Sequence, residues 1–200
     1  MFARSVISRS TASRHAFMDI TIGRQDPQRV SFELFMKKCP VASENFLKLC
    51  TGENVLPRVS SIDGIGEPSF RDQFLPQLTY RNTTVHRVCK GYLVQGGDIV
   101  SGQGTGQLSI YGEFFDAPEE VKASKFDRMG LLGTAVSAPH LNGSQFFILT
   151  ADKAPHLNGT CICFGRVVDG WAVVKAIEAI PLTVTGEPVE RVVVVDCGKL

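Results

Sequence analysis

Residues 17–35, FMDITIGRQDPQRVSFELF, contain two runs in which apolar and polar side chains alternate. In the second run Val30, Phe32 and Leu34 share one face, and the polar residues between them share the other. A period of two residues is that of a strand with one buried face. The stretch therefore predicts two adjacent half-buried strands at the start of a β-rich domain.

The pattern continues outward from these two strands. Further strand-like runs lie at residues 85–88, 92–95, 145–150, 161–168 and 192–196. Only two segments have helical spacing: one begins at Pro40 and is ended by Gly52, and the other covers residues 171–180. Many short strands with one early and one late helix predict a mainly β fold, a closed antiparallel barrel capped by two helices, because closure removes exposed strand edges.

Composition places the function at a local site. The chain has 200 residues, of which 44% are hydrophobic and 20% charged, which suits one globular domain. A net charge of +1 gives no cationic field for nucleic acid or an anionic membrane. No apolar run approaches the length of a membrane span. We therefore expect neither nucleic acid nor a membrane among the partners.

Residues 1–16 are predicted to be an N-terminal extension ahead of a single domain over residues 17–200. The extension holds three arginines and no acidic residue, which is typical of a mitochondrial transit peptide. The arginines do not fall on one face of a helix, however, and the alternative is a disordered tail on a cytoplasmic protein.

A second irregular segment, residues 54–79, is predicted to be a surface insertion. Its three prolines and two glycines prevent a long regular element. Phe70 and Phe74 are its candidate anchors. A tolerated loop and a surface for a protein partner both remain open.

The six cysteines are expected to be free thiols because the sequence has no export signal. They are interpreted as small buried side chains. Redox regulation through Cys161 and Cys163 remains an alternative.

Several chemistries lack their sequence signature. The glycines of residues 96–106 do not form a nucleotide-binding motif, Ser144 lacks a nucleophile elbow, and no histidine has metal-ligand spacing. We therefore expect no cofactor and no metal. What remains is the strand around Val85–Val88, which places His86 and Arg87 on opposite faces, so that Arg87 requires an acceptor on the sheet surface.

At these residues the sequence resembles the cyclophilin family of peptidyl-prolyl cis-trans isomerases. The resemblance covers nearly all of residues 17–200 and implies an eight-stranded barrel with a helix at each end, together with isomerase activity on X-Pro bonds. The motifs that carry it occur in the family's order: Arg29-Val-Ser-Phe-Glu-Leu-Phe35, Ala42-Ser-Glu-Asn-Phe46, His86-Arg87, Gln95-Gly-Gly-Asp98, Gly104-Thr-Gly106, Ser109-Ile-Tyr-Gly112, Asn142-Gly-Ser-Gln-Phe-Phe147, Phe164-Gly165 and Asp196-Cys-Gly198.

The resemblance also implies site residues. The catalytic set is Arg87, Gln95 and Phe147. The substrate-binding set comprises the walls of a proline pocket and the peptide groove beside it: Tyr92, Leu93, Ala135, Val136, Gln145, His156, Leu157 and Cys161. The implied substrates are proline-containing peptides and unfolded proteins, with a role in protein folding, and the implied state is a monomer.

This sequence departs from the family's pattern at several of those positions. Tyr92 and Leu93 stand where the family often has Phe and Met, and Val136 stands in place of an Asn. His156 falls where many members have Trp, and Cys161 where many have His. We expect catalysis to be retained and cyclosporin binding to be weakened, because His156 lacks the indole donor. The alternative is a proline-peptide binding or scaffold module with weak or no turnover.

Overall fold

The structure is a computed structural model that describes residues 15–53, 78–136, 138 and 141–200. Residues 1–14 of the predicted extension lie outside this range. So do residues 54–77 of the predicted insertion, including Phe70 and Phe74.

The described residues contain eight antiparallel strands in a single sheet. These are β1 (His15–Ile22), β2 (Gln28–Leu34), β3 (Val85–Cys89), β4 (Leu93–Gly96), β5 (Leu131–Thr134), β6 (Phe146–Leu149), β7 (Cys163–Asp169) and β8 (Val192–Lys199). Their order in the sheet is β3-β4-β6-β5-β7-β2-β1-β8.

The two ends of the sheet approach each other and nearly close it into a barrel. Thr84, just before β3, forms an isolated bridge with Val193 of β8. The Val194 amide donates to the Thr83 carbonyl at 3.0 Å. β1 pairs with β2 on one side and with β8 on the other, so that Ala16 lies opposite both Phe32 and Lys199. The mainly β, barrel-type fold predicted from the strand pattern is confirmed.

The described residues also contain three α-helices: α1 (Pro40–Thr51), α2 (Pro118–Ala123) and α3 (Trp171–Ala179). α1 contacts β1, β7 and β8, whereas α3 contacts β2, β3 and β4. No helix within the described residues is long and apolar enough to cross a membrane.

Helix α1 anchors the core through Phe46. Its ring meets the rings of Phe32, Tyr80, Phe146 and Phe164 at centroid distances of 5.2–5.6 Å. Such aromatic contacts add to the hydrophobic gain from burying the rings. The interior of the barrel is therefore filled by side chains.

The structure differs from the sequence prediction at three places. β5 was not among the predicted strands, because its four residues are all buried and show no alternation. α2 is a third helix beside the two predicted, with six residues and a proline at its start. β1 begins at His15, two residues inside the extension that was predicted to end at residue 16.

Candidate active site

A second apolar cluster lies outside the barrel, on the face of the sheet that the interior core does not use. Alternation along β6 explains it: Phe146 and Ile148 belong to the interior, whereas Phe147 and Leu149 point the other way. Of the predicted site residues, the cluster holds Leu93, Phe147 and Cys161 as buried members and Tyr92, Ala135, Val136 and Leu157 as partly buried ones.

Strand register places the predicted catalytic residues in one row across the sheet. Arg87 on β3 lies opposite Gln95 on β4. Gln95 lies opposite Phe147 on β6, and Phe147 lies opposite Gly133 on β5. The row therefore carries a cation, an amide and an aromatic ring on neighbouring strands.

Gly133 is a site residue that the sequence analysis missed. A Cβ at this position would lie 2.4 Å from Cζ of Phe147 and 2.8 Å from Cε1 of Phe126. Glycine thus leaves the space that the Phe147 ring occupies. The signal in the sequence is a glycine inside a buried strand, which often marks a close approach of another group.

Arg87 and its neighbour His86 point to opposite faces of β3, as the alternation predicted. Arg87 is exposed, and its Nη1 donates to Oε1 of Gln95 at 3.5 Å, the outer limit of a hydrogen bond. His86 is buried, and neither of its ring nitrogens has a hydrogen-bond partner among the described residues. Burial lowers the pKa of His86, and the nearby Asp98 carboxylate opposes that shift without reversing it.

Two glutamines connect Arg87 to the glycine-rich loop of residues 98–106. Nε2 of Gln95 donates to Oε1 of Gln145 at 2.9 Å. Nε2 of Gln145 donates to the carbonyls of Gly104 and Gly106 at 3.0 and 2.9 Å. Gln145 is only 4% exposed, so its amide is a fixed part of the site.

A cavity of about 460 Å³ lies beside this amide pair. Gln95, Gln145, Ala135 and Val136 line one part of it. Residues 100, 101, 104–107, 113 and 114 line the rest. Gln107 Nε2 donates to the Ala135 carbonyl at 3.0 Å, which fixes the cavity wall. The predicted groove residues Ala135 and Val136 are thus brought next to the predicted amides.

The rim of the site is formed by Tyr92 and His156. Tyr92 Oη lies 2.7 Å from Nε2 of His156, and the two rings are 5.6 Å apart at a tilt of 31°. His156 is exposed on a short 3-10 turn over Pro155–Leu157, which also carries Leu157. The rim therefore combines apolar ring surface with a polar pair.

Cys161 is a buried member of the apolar cluster. Burial raises the pKa of its thiol to about 11, and burial raises the pKa of Cys163 to about 12. All six cysteines are free. Thiols that remain protonated near neutral pH are poor nucleophiles, which weighs against the redox alternative at these two positions.

Nothing in the described residues brings three His, Cys, Asp or Glu side chains together as a metal site would. The chemistry that the arrangement offers is a charged donor held beside an apolar surface. Such a surface suits a small ring, and the donor suits a nitrogen or carbonyl held above it.

One comparison with known proteins bears on this arrangement. Residues 17–199 match the family model described as cyclophilin type peptidyl-prolyl cis-trans isomerase/CLD. The matched range contains every predicted site residue. It also contains all eight strands except the first two residues of β1.

Proposed function

The chain belongs to the cyclophilin-type peptidyl-prolyl cis-trans isomerases, and from that premise we propose that Arg87 drives rotation about X-Pro bonds held over Phe147. The observation that carries the proposal is the cross-strand row of Arg87, Gln95 and Phe147. It places a donor one strand away from the amide and two strands away from the ring surface. The substrates we propose are proline-containing peptides and unfolded proteins.

The reaction requires a site that favours the twisted amide. Rotation crosses a barrier of roughly 18–20 kcal/mol because the twisted state loses amide resonance. A catalyst must bind that twisted state more tightly than either planar isomer. As resonance is lost, the nitrogen lone pair becomes an acceptor, and a positioned guanidinium stabilises it.

The residues of the site divide this work. Phe147, with Leu93 and Leu157 beside it, holds the proline ring by apolar contact. Arg87 donates to the twisting amide, while Gln95 keeps the guanidinium near the sheet. The 3.5 Å contact between them is the kind of long hydrogen bond that shortens once substrate excludes water. The cavity lined by Ala135 and Val136 takes the peptide on one side of the proline.

The residues of the rim favour binding of peptides over binding of cyclosporin. Nε2 of His156 is paired with the Tyr92 hydroxyl, so this ring nitrogen does not stand free at the edge of the site as an indole N–H would. The inhibitor should therefore bind more weakly than to members with Trp there. A mitochondrial destination for the chain remains a prediction from residues 1–16.

The decisive experiment compares Arg87→Ala with the wild type on an X-Pro tetrapeptide. We expect kcat/KM to fall roughly hundredfold, the usual loss when a transition-state donor is removed. Peptide affinity should change little, because the apolar contacts remain. The rate is measured by exchange spectroscopy and the affinity by titration.

Arg29→Ala is the matched control. Like Arg87, Arg29 is an exposed arginine on a strand, but it pairs with Asp19 and lies on β2 outside the row. It should leave the rate unchanged. A wild-type rate for Arg87→Ala would remove Arg87 from the mechanism, and loss of affinity equal to the loss of rate would make it a binding residue.

A further inference from the structure

We infer that Asp98 is a positioning residue for Arg87, acting through the 98–106 loop and the paired amides of Gln145 and Gln95. The inference rests on the proposed function of Arg87. It concerns a residue that belongs neither to the row nor to the apolar cluster.

Asp98 is a buried carboxylate around which the loop is folded. Its side chain is 1% exposed. Oδ1 accepts from the amides of Val100 and Ser101 at 2.9 and 2.8 Å. Oδ2 accepts from the amides of Gly104 and Gly106 at 2.7 and 3.0 Å and from the Ser101 hydroxyl. Each carboxylate oxygen therefore closes a different part of the loop.

Hydrogen bonds, not a cation, keep this carboxylate ionised. No lysine or arginine in the described parts of the chain forms an ion pair with Asp98. Burial opposes the charge, but the donors from Ser101, Gly106 and Val100 together outweigh it and hold the pKa of Asp98 well below its usual value. The loop amides are thus oriented inward around a fixed charge.

The same two glycines present their carbonyls to Gln145. The amides of Gly104 and Gly106 point at Asp98, and their carbonyls accept from Nε2 of Gln145. Carbonyls only accept, so this contact fixes which end of the Gln145 amide is the nitrogen. The oxygen of Gln145 must then face Gln95.

Each hydrogen bond in this series fixes the orientation of the next amide group. Because Gln145 presents its oxygen, Gln95 must donate with its own nitrogen. That leaves the oxygen of Gln95 for Nη1 of Arg87. If the Gln95 amide flipped, its NH2 group would face the guanidinium of Arg87. If the Gln145 amide flipped, its NH2 group would face the NH2 group of Gln95, so in either case two donors would oppose each other. Asp98 thereby selects the orientation in which Arg87 has an acceptor.

Close packing leaves the loop little freedom to adopt another arrangement. A Cβ on Gly106 would lie 2.7 Å from Oδ1 of Asp98 and 2.5 Å from Cβ of Val100. A Cβ on Gly104 would lie 2.6 Å from Cδ2 of His86, the residue next to Arg87 on β3. The loop is therefore pressed against the back of the strand that carries Arg87.

The test is a double-mutant cycle between Asp98→Asn and Arg87→Ala. Asn retains the size but offers one acceptor oxygen instead of two, so two or three of the five loop donors lose their partner. We expect kcat to fall about tenfold, less than for loss of Arg87 itself. The dissociation constant of the peptide should change less than about twofold. In the Arg87→Ala background the second substitution should have no further effect on the rate.

Side-chain NMR provides a readout that does not depend on turnover. The NH2 resonances of Gln145 and Gln95 should shift in Asp98→Asn. Glu120→Gln is the matched control: Glu120 is also buried and accepts from two amides, Val41 and Ala42 at 2.6 and 3.1 Å, but at the start of α1. It should leave both the rate and the glutamine resonances unchanged. Ser101→Ala, which removes only the hydroxyl donor, should give a smaller effect of the same sign and serves if Asp98→Asn does not fold.

Three outcomes would overturn the inference: an unchanged kcat in Asp98→Asn, an equal further loss in the Arg87→Ala background, or unmoved glutamine resonances. Failure of the proposed function has a different signature, a wild-type rate for Arg87→Ala alone. In that case the glutamine resonances still decide whether Asp98 sets the amide orientation.

Discussion

The two halves of the site are built in different ways. The amide half, formed by Arg87, Gln95, Gln145 and the 98–106 loop, is tied together by hydrogen bonds that lead back to a buried charge. The rim half, formed by Tyr92, His156 and Leu157, depends on one exposed hydrogen bond and a 3-10 turn. Strand register and a buried network place the first half, whereas a surface turn places the second. We infer that the rim can vary in sequence while the chemistry stays fixed.

The largest test of this comparison replaces the aromatic ring that lies in one row with Arg87 and Gln95, and an aromatic ring of the rim. Phe147→Ala empties a position that is 3% exposed at the base of the site, and we expect about 3–5 kcal/mol loss of unfolding free energy together with loss of activity. Tyr92→Ala, on the partly exposed rim, should cost about 1 kcal/mol. Urea denaturation measures the unfolding free energy of both variants, and the tetrapeptide assay measures their activity.

Equal losses from the two substitutions would break the comparison. They would mean that the rim is as much a part of the folded framework as the row. A loss confined to activity at Phe147 would instead show that the outer cluster contributes little to stability.

A second test concerns the acid limb of stability. The folded-state pKa of Asp98 lies below its unfolded value, which is near 3.9 for a free Asp. The folded state therefore binds fewer protons, and the stabilisation is present above about pH 4 and is lost as pH falls further. We expect Asp98→Asn to flatten this loss, which is of order 2 kcal/mol, in urea titrations at several acidic pH values.

Glu120 is a sharp control because the pKa of its carboxyl group is shifted in the opposite direction to that of Asp98. Burial raises the pKa of Glu120, and its hydrogen bonds with Val41 and Ala42 only partly offset that. Its contribution to stability is present at low pH and lost as pH rises, so Glu120→Gln should steepen the acid limb. A flatter limb in Glu120→Gln would contradict the assignment of these opposite shifts.

The smallest expected effect lies on the rim. His156→Trp adds an indole donor and ring area, and we expect cyclosporin to bind about tenfold more tightly, or about 1.4 kcal/mol. The value of kcat/KM should stay within about threefold, since the amide half is untouched. Calorimetric titration of the inhibitor and the tetrapeptide assay measure the two quantities.

Tyr92→Phe separates the polar pair from the shape of the rim. It removes the hydroxyl that is hydrogen-bonded to His156. The binding free energy of cyclosporin and the activation free energy derived from kcat/KM should each change by less than about 1 kcal/mol. A tenfold fall in kcat/KM from either rim substitution would show that the rim participates in the chemistry.

The sequence predicted those features that depend on alternating apolar residues or on the residues at helix ends. The β1 and β2 strands, the proline start and glycine end of α1, and the opposed faces of His86 and Arg87 all follow from local pattern. β5 did not, because a fully buried four-residue strand has no polar face to alternate with. α2 is too short to show helical spacing.

Within the site, the missing information was register and burial. Nothing local to Gly133 or Phe147 shows that they lie opposite each other on neighbouring strands. Asp98 lies in a glycine-rich run, where a carboxylate would ordinarily be expected in solvent. Only the folded loop shows it at the centre of a ring of amides. The resemblance supplied the residues predicted to contact a substrate, but not those that hold them in place.

The pairing of β1 with both β2 and β8 sets the order in which the barrel can be completed. β2 follows β1 closely along the chain, so that pair can form early during synthesis, whereas β8 ends only at Lys199. Until residues 192–199 have left the ribosome, one edge of β1 has no strand beside it. An unpaired edge is a template for pairing with other chains, and contacts so distant in sequence form slowly. During its synthesis the chain thus exposes a strand edge that is paired only once the barrel is complete.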